Sequence, residues 1–133
     1  MSENQEQKRV LVVEDELAIA KLIKYVLENA DFEVTLVTEG ASALKEIDRE
    51  TPDIMILDLM LPTFSGFDVM KSLNESDRIG TFPIVVLTCR GQEEDKERAL
   101  NLGASEFMTK PFSPSGLVAV LRSLINHSGG IHE

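Results

Sequence analysis

The sequence has no tryptophan, one cysteine and two histidines in 133 residues. A single cysteine, Cys89, leaves no disulfide framework and no Cys/His zinc cluster. Both histidines, His127 and His132, lie beyond the last apolar pattern, so neither an imidazole acid/base site nor a His-ligated metal is expected. No apolar run reaches the roughly 18 residues that a membrane span requires. The polar start Met1-Ser2-Glu3-Asn4-Gln5-Glu6-Gln7-Lys8 is unlike a signal peptide. A cytoplasmic protein without membrane insertion is therefore expected. Basic residues are scarce as well: 13 Lys and Arg face 23 Asp and Glu, a formal net charge of −10. Phosphate contacts need a basic surface, so direct nucleic acid binding is not expected, whereas a divalent cation or a basic protein partner suits the charge. No G-x-x-x-x-G-K-[ST] occurs, which excludes P-loop nucleotide chemistry.

What is present is organised around Ile54-Met55-Ile56-Leu57-Asp58-Leu59-Met60-Leu61-Pro62. An apolar run bounded by Pro52-Asp53 and Pro62 reads as a strand buried on both faces. A carboxylate inside such a strand costs several kcal/mol, roughly, unless it is paired, bound to metal or at the strand's end. Pro62 stops the ladder, which places Asp58 at the carboxyl edge.

The rest of the chain alternates in the same way. Strands are expected at Arg9 to Val13, Phe32 to Val37, Asp53 to Asp58, Phe82 to Leu87 and Ser105 to Thr109. Between them lie helical patterns. The first runs from Glu16 to about Asn29, with Ile19, Leu22, Ile23, Val26 and Leu27 inward. The second follows Gly40 and turns Ala43, Leu44 and Ile47 inward. Phe67, Val69, Met70 and Leu73 mark the third, and Glu93 to about Leu102 the fourth, stopped by Gly103. Ser113-Pro114 reads as an N-cap followed by Pro at the first helical position, opening a fifth helix with Leu117, Val118, Leu121, Leu124 and Ile125 on its apolar side. The order is (βα)5: one α/β domain over 9–126 with a five-stranded parallel sheet, helices on both faces, and flexible tails at 1–8 and 127–133.

In a parallel sheet every strand's carboxyl end falls on one edge, where ligands bind. Glu14-Asp15, Asp58, Thr88 and Lys110 end four of the five strands. Carboxylates gathered there repel unless a cation intervenes, and a donor set of oxygens without nitrogen or sulfur selects a hard ion such as Mg²⁺. Lys110 adds a positive charge and Thr88 a hydroxyl. Phosphoryl transfer fits this set best, because its catalysis is mostly positioning and charge neutralisation, and aspartate can serve as the nucleophile.

The segments Val12-Val13-Glu14-Asp15-Glu16, Ile56-Leu57-Asp58-Leu59-Met60-Leu61-Pro62, Val86-Leu87-Thr88 and Phe107-Met108-Thr109-Lys110-Pro111-Phe112 resemble the receiver domain of two-component response regulators, over about residues 9 to 126. The resemblance implies a doubly wound, flavodoxin-like fold and Mg²⁺-dependent transfer of a phosphoryl group to Asp58. The donor would be the phosphohistidine of a sensor histidine kinase or phosphotransfer protein. It casts Asp15 and Asp58 as metal ligands through their side chains, Met60 through its backbone carbonyl and Glu14 through water. Lys110 would pair with the phosphoryl oxygens and be joined to Pro111 by a cis peptide bond, and Thr88 and Phe107 would act as switch residues. Met60 and Arg90 would flank the site and affect attack by water. The domain would catalyse its own phosphorylation and dephosphorylation rather than turn over a substrate. A downstream effector, or an output domain outside this sequence, would read the result.

Thr88-Cys89-Arg90-Gly91 and Lys110-Pro111-Phe112-Ser113-Pro114 further resemble receivers of winged-helix transcription regulators of the OmpR/PhoB type. Those pair through the fourth helix, fifth strand and fifth helix. Lys96 and Glu106 suit such a homodimer, but Gly116 and Val120 stand where charged partners are usual. Cys89 reads as a small, semi-buried thiol without a role. Competing classes fit less well. A haloacid-dehalogenase-type phosphatase needs a second Asp where Met60 stands, and an FMN carrier needs glycines and hydroxyls where Glu14-Asp15-Glu16 stand. A degenerate receiver, acting as an interaction module without phosphorylation, is the alternative within the family.

Overall fold

The computed structural model of the chain describes residues 7–89 and 91–129, so Arg90 and most of both expected tails lie outside the described residues. The elements follow in the order β1 (Arg9–Val13), α1 (Leu17–Asn29), β2 (Glu33–Val37), α2 (Gly40–Arg49), β3 (Ile54–Leu57), α3 (Gly66–Glu75), β4 (Ile84–Thr88), α4 (Glu93–Asn101), β5 (Glu106–Thr109) and α5 (Pro114–Gly129). All strand pairs are parallel and the sheet order is β2-β1-β3-β4-β5, the doubly wound flavodoxin-like arrangement. The order reverses between β1 and β3, so a crevice opens at their carboxyl ends.

The pleat divides each apolar run between two cores. Val10 and Val12, Ile54 and Ile56, and Val85 and Leu87 face Ile23 and Leu27 of α1 and Leu117 and Leu121 of α5. Leu11 and Val13, Met55 and Leu57, and Ile84 and Val86 face Ala43, Ile47, Val69, Met70 and Leu73 on the other side. This is why the interior strands are apolar without alternation: a period of two still operates, but both faces are dry. At the edges β2 and β5 are only half-buried.

Helix α1 departs from expectation in one residue. Ala20, Ile23 and Leu27 are buried, while Leu22 is 48% exposed. The buried set recurs at i, i+3 and i+7, which turns Leu22 about a quarter of a turn off that stripe.

Several helix ends are closed by side-chain or backbone caps. Ser113 accepts the Gly116 N–H (3.1 Å) at the start of α5, as its sequence suggests. At the end of α4 the Ala104 N–H donates to Ala99 and the Gly103 N–H to Leu100, both at 3.0 Å, with Gly103 at φ 114°. The same double closure ends α1 at Asp31 (φ 72°) and α3 at Asp77 (φ 58°), where a left-handed backbone is held without glycine.

A third left-handed residue other than glycine is Thr63 (φ 68°), in the β3–α3 connection. The Phe64 N–H donates to the Pro62 carbonyl (2.7 Å), closing a three-residue γ-turn centred on a β-branched residue, the strained form of that turn. Thr63→Gly removes the Cβ that makes this conformation costly but adds freedom to the unfolded chain. The expected net gain is roughly 0.5–1 kcal/mol, read as a higher urea midpoint at unchanged slope.

Candidate functional site

The crevice at the ends of β1 and β3 is built by strand register. Val13 pairs with Leu57, and the next residue, Asp58, donates its N–H to the Val13 carbonyl (3.1 Å). Glu14 is fastened on the other side by its own N–H to the Val37 carbonyl (3.1 Å). Thr88 pairs with Thr109 across β4 and β5, and the Lys110 N–H donates to the Thr88 carbonyl (2.9 Å). A carboxylate therefore ends each of two adjacent central strands, and the edge strand delivers a lysine above them. The Lys110–Pro111 bond is cis, as the resemblance implies.

The Lys110 ammonium donates to Glu14 Oε1 (2.7 Å) and to Asp58 Oδ2 (3.0 Å). The second oxygen of each carboxylate takes a backbone amide: Glu16 N–H to Glu14 Oε2 (3.1 Å) and Met60 N–H to Asp58 Oδ1 (2.9 Å). Glu14 and Asp58 are buried, whereas Asp15 is exposed. Burial pushes the Glu14 carboxyl above the usual range. The bonds from Lys110 and the Glu16 amide oppose that rise, and the charge on Asp58 adds to it. Burial also works against the charge on Lys110, but its hydrogen bonds to Glu14 and Asp58, and their charges, outweigh it and hold its pKa above that of an ordinary lysine.

Glu14, Asp15 and Asp58 each present a carboxylate oxygen, and these three oxygens lie within 4.8 Å of one another. Such a set can hold a hard cation. Thr88 is fully buried at the end of β4, next to the strand that carries Asp58. Phe107 stands farther off, half-buried against the cluster that contains Val86, Ala99 and Ala104. Met60 is 47% exposed at the rim, and Cys89, expected to be semi-buried, is instead exposed, because it follows the last residue of β4.

The loop after Asp58 contains positioning groups that the sequence reading did not assign. A Cβ on Gly66 would lie 2.4 Å from the Asp58 carbonyl oxygen and 2.7 Å from the Leu59 Cα, so only glycine lets α3 start against this strand end. Its N–H also donates to the Leu59 carbonyl (3.1 Å). Ser65 and Asp68 form a reciprocal capping box, with the Asp68 N–H on Ser65 Oγ (3.2 Å) and the Ser65 N–H on Asp68 Oδ2 (2.9 Å). The Ser-x-x-Asp spacing was the available signal for the box. Gly66 carried none that separates a close approach from an ordinary loop glycine. Gly66→Ala must shift backbone on one side or the other, and the expected loss is about 2 kcal/mol, measured by urea unfolding.

Comparison with known proteins assigns the class. The family model for the response regulator receiver domain matches residues 10–122, and the chain belongs to that family. Among curated relatives it is 40% identical, over 91% of its length, to the alkaline phosphatase synthesis transcriptional regulatory protein PhoP of Bacillus subtilis. It is 40% identical over 89% of its length to the phosphate regulon transcriptional regulatory protein PhoB of Escherichia coli. The match covers 50% and 52% of those two proteins, so the chain spans about half their length. Among solved structures, the BeF3-activated N-terminal receiver domain of Klebsiella pneumoniae RstA is 32% identical, with a TM-score of 0.81 over 88% of this chain and 97% of that one. Among the described residues no helix is long and apolar enough to cross a membrane.

Proposed function

We propose that this domain is a cytoplasmic signalling switch in which Asp58 accepts a phosphoryl group from the phosphohistidine of a sensor histidine kinase or phosphotransfer protein. The observation that carries this reading is the convergence of Glu14, Asp15, Asp58 and Lys110 at the point where the strand order reverses. In the transfer a carboxylate oxygen of Asp58 attacks phosphorus. A P–O bond forms as the P–N bond breaks, the electron pair leaves on the imidazole nitrogen, and the product is an acyl phosphate.

The protein's share of this chemistry is positioning and charge balance. The Met60 N–H fixes one Asp58 oxygen, leaving the other to Lys110. As the phosphoryl group arrives, the Lys110 ammonium exchanges Asp58 for phosphoryl oxygens while Glu14 keeps it anchored, and the Thr88 hydroxyl donates to the same group. The all-oxygen cluster fits Mg²⁺, held by Asp15 and Asp58 through their side chains, by the Met60 carbonyl, and by Glu14 through water. When bound, the ion offsets the negative charge that transfer brings into the crevice.

The domain promotes its own phosphorylation and dephosphorylation and has no separate substrate to turn over. Its output is a change in the surface made by α4, β5 and α5, with Thr88 and Phe107 moving together, read by an effector protein or a linked output domain. Lys96 and Glu106 are exposed on this surface and suit pairing with a second copy. The test is incubation of the full chain with Mg²⁺ and acetyl phosphate. A gain of one phosphoryl mass that disappears when the metal is chelated is expected, and no gain overturns the reading.

A further inference from the structure

Helix α4 is lightly attached: of its residues only Asp95 and Ala99 are buried. Its exposed Arg98 extends across to α3, where the guanidinium carbon lies 4.0 Å from the centre of the Phe67 ring. Glu94 and Glu97 line a surface groove together with Arg98, yet Arg98 makes no ion pair with a described residue and covers the aromatic face of Phe67 instead. Phe67 is anchored. It packs half-buried against the cluster that contains Leu57 and Leu59, and it follows Gly66, which sits on the Asp58 backbone. The capping box holds this first turn of α3 in place. A short line of contact thus runs from the backbone of Asp58 through Gly66 and Phe67 to the one cation of α4 that reaches the ring.

We propose that the Arg98–Phe67 stack is a latch that sets the resting position of α4 and couples that position to the end of β3. An exposed cation–π contact shifts an equilibrium by roughly two- to fivefold, too little to hold a well-packed helix but enough to bias one buried at only two residues. The latch gives a signalling direction to the proposed function and rests on it in that respect, but the contact can be tested without phosphoryl chemistry.

Hydrogen exchange of the full chain reads the resting state. Arg98→Ala is expected to speed exchange of the α4 amides by roughly two- to fivefold, with β1 and β3 unchanged. Alanine is at least as good a helix former as arginine, so faster exchange cannot arise from propensity. Phe67→Leu, which keeps an apolar side chain on the core, is expected to do the same, and the double variant to go no further than either single one. Unchanged α4 exchange in both single variants, or additive effects in the double, overturns the latch. The second readout is binding of beryllofluoride with Mg²⁺, a phosphoryl mimic. By linkage, both single variants should bind it tighter by the same factor. If the unaltered protein binds no beryllofluoride and gains no phosphoryl group, the functional reading fails while exchange still decides the latch. If it binds and the variants match it in both readouts, the latch alone fails.

Discussion

Asp58→Asn takes up no phosphoryl group from acetyl phosphate and Mg²⁺, yet folds with its stability preserved. The first half follows because the amide has no anionic oxygen to attack phosphorus, and Glu14, locked between Lys110 and the Glu16 amide, is not free to replace it. The second half follows from the electrostatics of the crevice. Glu14 and Asp58 are buried side by side with Lys110 between them, so two negative charges share one positive one. Neutralising Asp58 removes their mutual repulsion and leaves a one-to-one pair, which offsets the acceptor that is lost, since the single asparagine oxygen accepts from Lys110 or from the Met60 N–H but not from both. Intact-mass spectrometry and urea unfolding check the two halves. A phosphoryl gain in Asp58→Asn would move the acceptor elsewhere, and a stability loss beyond about 1 kcal/mol would contradict the charge argument.

Lys110→Met has the opposite profile. It keeps the apolar stem but strips the positive charge from two buried carboxylates, which then face each other uncompensated. Breaking a buried pair in this way costs about 3 kcal/mol at pH 7. The loss depends on pH with a definite sign. Burial already holds the Glu14 pKa above its unfolded value, and without Lys110 the bond that opposes that rise is gone, so the deficit is full at neutral pH and shrinks as acidification protonates Glu14. Urea unfolding at pH 7 and pH 5 should therefore show variant and parent converging at the lower pH. Adding Mg²⁺ at pH 7 should recover part of the loss by replacing the missing charge. Phosphoryl uptake is expected to stay low throughout, because in the proposed function the Lys110 ammonium meets the phosphoryl oxygens and a bound ion does not replace it there.

The interior of the fold was legible because physics left little choice there. The runs at Val10–Val13, Ile54–Leu57 and Ile84–Leu87 are long enough only for strands, and too apolar to face water on either side. Their polar terminators followed from the parallel order, and so did the gathering of Asp15, Asp58 and Lys110. What escaped was finer. Leu22 fits the helical period of α1 but lies a quarter-turn away from its buried stripe. Asp31 and Asp77 end helices in a backbone conformation that composition associates with glycine, and only the closing hydrogen bonds identify them. Glu14 reads as a remote partner of a metal until its direct bond to Lys110 is seen. Gly66 is silent in sequence because its role is defined by what a missing methyl group would strike.

The pairing of Lys110 with Glu14 spans 96 positions and that with Asp58 spans 52. A chain emerging from the ribosome thus completes its two buried carboxylates long before the residue that neutralises them exists. Until β5 docks, the half-built sheet carries unbalanced charge at its central strands, which favours an open ensemble over a compact intermediate. Lys110, the proposed partner of the phosphoryl group, is in this sense also a fastener that favours concerted folding, and a truncated product ending before Lys110 would be an easy target for proteolysis.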